Sequence, residues 1–166
     1  MSKMVKTVLL LGSNIEPRLT FLNQALSLLE EETGKAVAIS EVYESEPWGF
    51  EAKTSFYNQA VVFETDKPAG EILNICMKTE TVLGRKRGNT EGYVSRTIDV
   101  DILYFGNKVI NTKNLVIPHP RLHLRRFALM PLTEIAAGMV HPLLNKAPKE
   151  LLTECPDRSE VKLVNQ

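Results

Sequence analysis

Arg96-Thr97-Ile98-Asp99-Val100-Asp101-Ile102-Leu103 is the stretch on which the fold turns. Read with the two-residue period of a strand, Ile98, Val100 and Ile102 point one way, and Thr97, Asp99 and Asp101 point the other. The apolar side fits a buried sheet face. The acidic side carries two carboxylates with no cation between them and is expected to face away from the core. Same-face neighbours on a strand sit roughly 6.6 Å apart, at about 3.3 Å per residue. Carboxylates so spaced can converge on a pair of divalent ions, which lie about 3.5–4 Å apart in two-metal sites. Ordinary exposed strands also carry Asp-x-Asp pairs, so the meaning of this one rests on its surroundings.

Upstream, residues 5–11 form an apolar run of strand length, which suits a buried central strand. Gly12-Ser13-Asn14 closes it as a turn. Leu19, Leu22, Ala25, Leu26 and Leu29 then recur at helical spacing, with Pro17 before them and Gly34 after. Residues 37–45 and 56–64 read as two further strands, separated by the polar, Pro- and Gly-marked segment 46–53. A second helix is expected over 68–83, with Ile72, Ile75, Cys76, Val82 and Leu83 inward. The acidic strand runs to Phe105, and Gly106-Asn107 suits a hairpin turn into Val109-Ile110. The order β-α-β-β-α-β predicts an α+β fold: a ferredoxin-like split βαβ antiparallel sheet packed with helices. Past Asn114, prolines break the chain into short pieces, and only residues 127–136 read as a helix. A short C-terminal extension of one 1–166 domain is expected.

Composition excludes several classes. The 166-residue chain balances 20 Lys+Arg against 20 Asp+Glu, which argues against bulk electrostatic binding to nucleic acid or membranes. No run approaches the roughly 20 apolar residues of a membrane span. The N-terminus has no signal-peptide pattern, so a cytoplasmic location is expected. Cys76 and Cys155 stand apart without C-x-x-C spacing, so neither a disulfide framework nor a zinc site is indicated.

Two basic clusters flank the aspartates. Gly84-Arg85-Lys86-Arg87-Gly88-Asn89-Thr90-Glu91-Gly92-Tyr93-Val94-Ser95-Arg96 sets four cations among three glycines. Phosphoryl transfer needs that pairing: carboxylates to hold metal, and guanidinium groups for charge spread over phosphate oxygens. No P-loop or dinucleotide turn is present. Downstream, Pro118-His119-Pro120-Arg121-Leu122-His123-Leu124-Arg125-Arg126-Phe127 could close over a polyphosphate. Pro120 disfavours a helix that would pair His119 with His123 on a metal, and His119 reads as a neutral hydrogen-bond donor. Phe56 and Asn58 share a strand face, and an aromatic beside an amide suits a flat, hydrogen-bonding heterocycle. Trp48, in its Pro-Trp-Gly turn, reads as a pocket edge or lid.

These segments, with Leu11-Gly12-Ser13-Asn14, Glu46-Pro47-Trp48-Gly49-Phe50, Phe56-Tyr57-Asn58-Gln59, Leu83-Gly84-Arg85 and Pro118-His119-Pro120-Arg121 in that order, resemble the 6-hydroxymethyl-7,8-dihydropterin pyrophosphokinases of folate biosynthesis. The resemblance implies transfer of a pyrophosphoryl group from ATP to the pterin hydroxymethyl, with release of AMP. It implies two Mg²⁺ ions on Asp99 and Asp101, and Arg85 and Arg96 at the transferring phosphates. Glu80, Arg87, Ile102, His119 and Arg125 would meet ATP. Ser45, Trp48, Phe56, Asn58 and Phe127 would meet the pterin, the two phenylalanines sandwiching its ring. The segments 45–50 and 84–95 would be loops that close over the site. A monomer is expected, with no nucleic-acid or membrane partner. Tyr93 stands where some relatives carry tryptophan, and Asn114 where a basic residue can occur.

Two rival readings come from the same residues. One is an RNA-binding module of the same strand order, with Gly92-Tyr93-Val94 echoing its aromatic motif. The other is a palm-like nucleotidyl transferase with paired aspartates.

Overall fold

The computed structural model describes residues 3–47, 54–84 and 97–164. Its strands and helices run β1 (Val5–Ser13), α1 (Arg18–Thr33), β2 (Ala38–Ile39), β3 (Tyr43–Ser45), β4 (Phe56–Thr65), α2 (Ala69–Val82), β5 (Asp99–Phe105), β6 (Ile110–Asn111), β7 (Val116–Ile117), α3 (Arg126–Ile135), α4 (Pro148–Glu154) and β8 (Val161–Leu163). Among the described residues the main sheet is ordered β5-β1-β4-β3-β8, with β2 also on β4, and its pairings are antiparallel. The unit β1-α1-β3 is split by β4, and the unit β4-α2-β5 is split by β1. The expected α+β architecture is therefore observed.

Helices cover both faces. α1 and α2 bury Leu22, Ala25, Leu29, Ile72, Ile75 and Cys76 against Leu9, Leu11, Val61, Phe63 and Val100. α3 and α4 bury Ala128, Leu129, Leu132 and Leu151 against Val8, Leu10, Ala60, Val62 and Leu103. This is why β1 is apolar at successive positions: its alternate side chains enter opposite layers. Pro17 caps α1 and Gly34 ends it at φ 99°, a left-handed value that favours glycine.

Several expectations are corrected. Residues 37–45 form two short strands rather than one. Val82 is 58% exposed, while Thr79 and Glu80 take the buried end of α2. Gly106 does turn the chain, but the next strand leaves the sheet, and β6 pairs β7 instead of β5. The C-terminal extension is present as expected, and it packs onto the same domain: α4 joins the second core layer and β8 extends the sheet on β3. The face carrying Asp99 and Asp101 also does not simply turn from the core. It is the α3-side face, packed from Leu103 onward and less covered at the aspartates.

β5 contains one irregularity. Leu9 pairs Ile102 and Val8 pairs Tyr104, so Leu103 is an extra residue in the ladder. As a result Leu103 and Tyr104 both reach the α3 layer, and Phe105 returns to the other.

Candidate active site

The register of the sheet assembles the site. Gly12 of β1 lies opposite Asn58 of β4 on one side and Asp99 of β5 on the other. Tyr43 of β3 continues the row beyond Asn58. Residues directly opposite in an antiparallel ladder project to the same face, so Asn58 and Asp99 look out together across a glycine. Two inter-strand steps of about 4.8 Å place their backbones roughly 10 Å apart. Asp101 and Leu10 form the next row inward, and Phe56 and Ser45 the next row outward.

Gly12 keeps this floor low. A Cβ there would stand 3.3 Å from Asn58 Oδ1 and 3.7 Å from the Phe56 ring. Asn58 is 3% exposed. Its Nδ2 donates to Ser45 Oγ at 2.8 Å and to the Tyr43 carbonyl at 3.5 Å. Those bonds fix the amide so that its oxygen is the end directed over Gly12.

The outer edge of β5 is held at two points. The Glu80 carboxylate, on the last turn of α2, accepts the Val100 N–H at 2.9 Å. The Leu103 carbonyl accepts the His119 N–H at 3.0 Å. Strand alternation turns the backbone of Ile102 to this same edge while its side chain enters the core. A cleft of about 210 Å³ lies there, lined by Asp101, Ile102, Asn114, Leu115 and His119 among others. His119 Nδ1 accepts the Arg121 N–H at 3.1 Å, which leaves Nε2 as the protonated donor. Burial, with the nearby Arg125 and Arg121 cations, lowers its pKa to about 4 against the opposing pull of Asp99. The imidazole is neutral at neutral pH. Arg125 is buried at the start of α3, with its guanidinium carbon 5.6 Å from the centre of the Phe127 ring. Phe127 packs on the α3-side core, the layer of the aspartate face.

Residues 8–137 match the profile of the family described as 7,8-dihydro-6-hydroxymethylpterin-pyrophosphokinase. The chain belongs to this family. Among its similar relatives is the Bacillus subtilis protein named 2-amino-4-hydroxy-6-hydroxymethyldihydropteridine pyrophosphokinase, 42% identical over 75% of this chain and 74% of that protein. The Aquifex aeolicus protein of the same name is 40% identical over 87% and 88%. The fold is similar to a solved Plasmodium falciparum HPPK-DHPS triple mutant, at a TM-score of 0.75 and 19% identity. That match covers 92% of this chain but 42% of the longer one.

For a pyrophosphokinase of this family the structure brings together Ser45, Phe56, Asn58, Glu80, Asp99, Asp101, Ile102, His119, Arg125 and Phe127 around one end of the sheet. Trp48, Arg85, Arg87 and Arg96 lie outside the described residues. Among the described residues no group of three or more His, Cys, Asp or Glu forms a metal cage. Paired carboxylates on an open face fit Mg²⁺, which is usually held by one or two carboxylates plus substrate phosphates and water. Sequence reasoning did not give Gly12 its spacer role. Nor did it find Arg18, whose guanidinium sits 3.8 Å from the centre of the Tyr57 ring and donates to Ser55 O and Oγ at 3.0 Å. Arg18 also pairs with Glu44 of β3 at 3.4 Å, and so ties β3 and Ser55, just before β4, to the start of α1. An arginine following Pro17 at a helix start was the available signal.

Proposed function

We propose that this chain transfers a pyrophosphoryl group from ATP to the hydroxymethyl oxygen of 6-hydroxymethyl-7,8-dihydropterin, releasing AMP, for folate biosynthesis. The observation that carries this reading is the Asn58–Gly12–Asp99 row, which aligns a heterocycle-sized floor with a carboxylate pair in a chain of this family. Asn58 Oδ1 accepts from the polar edge of the pterin, and Ser45 holds the amide in that orientation. Phe56 and Phe127 supply apolar faces for the ring, with Trp48 at its rim. The hydroxymethyl group then points along the row toward Asp99.

The nucleotide lies along the outer edge of β5. Ile102 offers backbone groups to the base, His119 donates from Nε2, and Glu80, Arg87 and Arg125 complete the nucleotide contacts. Arg85 and Arg96 bring charge to the transferring phosphates, which disperses in the transition state. Asp99 and Asp101 would hold two Mg²⁺ ions, which when bound supply Lewis acidity toward the hydroxyl and the phosphate oxygens. The two acids orient both substrates on one face. The whole chain is read as one catalytic unit, because its tail is woven into the sheet that bears the site.

A coupled assay for AMP formation tests this. AMP should appear only when ATP, Mg²⁺ and the hydroxymethyl-dihydropterin are all present. Pyrophosphate in place of AMP would replace the reading with a nucleotidyl transferase, and pterin-independent turnover would overturn the pterin as acceptor.

A further inference from the structure

The family match ends at residue 137, yet the chain beyond it reaches back to the pterin end of the site. Asp157 Oδ2 accepts the N–H of Arg126 at 3.1 Å. Arg126 opens α3, and no side chain of its own N-cap residue, Arg125, serves this helix start. The first N–H groups of a helix lack internal partners, and the helix dipole favours an anion beside them. Asp157 is itself fixed from the other side: its Oδ1 accepts from Ser159 N at 3.0 Å and from Ser159 Oγ at 2.6 Å. Two residues further on, Val161 pairs with Ser45 as β8 docks on β3. One five-residue stretch, 157–161, therefore touches the start of the helix bearing Phe127 and the strand whose Ser45 orients Asn58.

We infer that residues 157–161 form a strap setting the distance between the two walls of the pterin site, with Asp157 as its positioning residue. The inference rests on the pterin reading above. Asp157 does not reach the substrate; it fixes where the first turn of α3 begins, and hence where Phe127 stands relative to Phe56 and Asn58. Burial pushes its carboxyl upward, but the Ser159 and Arg126 interactions outweigh this and hold it below the usual range. The strap is therefore anionic throughout the neutral range.

The test uses the full chain and two readouts: calorimetric titration with 6-hydroxymethylpterin, and the kcat and KM of AMP formation. Asp157→Ala should weaken pterin binding and raise its KM about fivefold, the size of a typical helix-cap contribution carried over to the placement of Phe127, with kcat changed far less. Asp157→Asn keeps one acceptor oxygen, enough for the Arg126 side or the Ser159 side but not both, and should recover binding only in part. Ser159→Ala, which removes only the hydroxyl bond, should cost less than either. Lys146→Ala, which breaks only an exposed pair with Glu154 in the same tail, should match wild type. Equal pterin binding by wild type and Asp157→Ala overturns the strap alone. So does a loss confined to kcat. A wild-type chain that binds no pterin overturns the functional reading and the strap together.

Discussion

The carboxylate of Glu80 accepts the backbone N–H of Val100, the residue between Asp99 and Asp101, at 2.9 Å. Glu80 is only 3% exposed, so this edge-strand peptide is anchored from inside the protein. Removing it leaves an N–H without its charged partner, a loss of about 1.5–3 kcal/mol. Glu80→Ala should lower unfolding free energy by about 2 kcal/mol and speed exchange of the Val100 amide without any nucleotide. An unaltered Val100 exchange rate would limit Glu80 to nucleotide contact.

Asp99→Ala and Asp101→Ala should each cost about 10²–10³-fold or more in kcat while leaving the denaturation midpoint nearly unmoved. Both side chains are partly exposed at the open end of their face, so neither substitution hollows the core. Near-normal turnover of either variant at saturating Mg²⁺ would sink the metal assignment.

Gly12→Ala places a methyl 3.3 Å from Asn58 Oδ1. Overpacking of about 1–3 kcal/mol converts to roughly 5- to 150-fold in pterin KM. ATP binding should hardly respond, because the cleft at Ile102 and His119 lies beyond β5. A variant weakened equally toward both substrates would point to general distortion of the sheet.

His119 titrates near 4 in the fold and near 6.5 in an unfolded chain. Between those values the unfolded state binds more protons, so stability rises with pH through that window and is lost as pH falls. The contribution is up to about 3 kcal/mol. His141, whose pKa is lowered by burial and by His123, adds to it in the same direction. Denaturant unfolding from pH 4 to 7, repeated with His119→Gln, measures the share of His119; an identical pH slope in the variant would refute it.

Arg18→Ala should loosen Glu44 and Ser55, which flank the Ser45–Phe56 pair at the pterin end. The expected result is a several-fold rise in pterin KM with a smaller change in kcat, since a charged hydrogen-bond set of this kind contributes about 1.5–3 kcal/mol. Arg18→Lys should rescue poorly, because a point charge reproduces neither the fork nor the stacking on Tyr57. Full rescue by lysine would reduce the role of Arg18 to charge alone.

Much of the site was legible because strand alternation and cross-strand register are strict. Phe56 and Asn58 share a face with Asp99 and Asp101, as period two requires, and β1 lies between their strands. What sequence hid was coverage. Nothing in Leu103-Tyr104 or in residues 126–136 says that the acidic face becomes a second core layer a few residues along. Val82 carried an apolar side chain that α2 does not bury, while Glu80 carried a charge that it does. Local pattern predicts which side a residue takes, but a buried acid is explained only by the distant N–H that it accepts. The tail was opaque for the same reason, since β8 and Asp157 gain their meaning from β3 and α3, far away in the chain.

Leu103 is surplus to the ladder of β5, and the strand would alternate correctly without it. Ile102 would lead directly into Tyr104 on the α3 side, with Phe105 following on the other. What would vanish is the carbonyl that receives the His119 N–H. The extra residue is a mooring post. It ties the nucleotide-side segment to the open edge of the strand. Shortening the chain by that one residue would cast His119 adrift while the aspartates and the core kept their places.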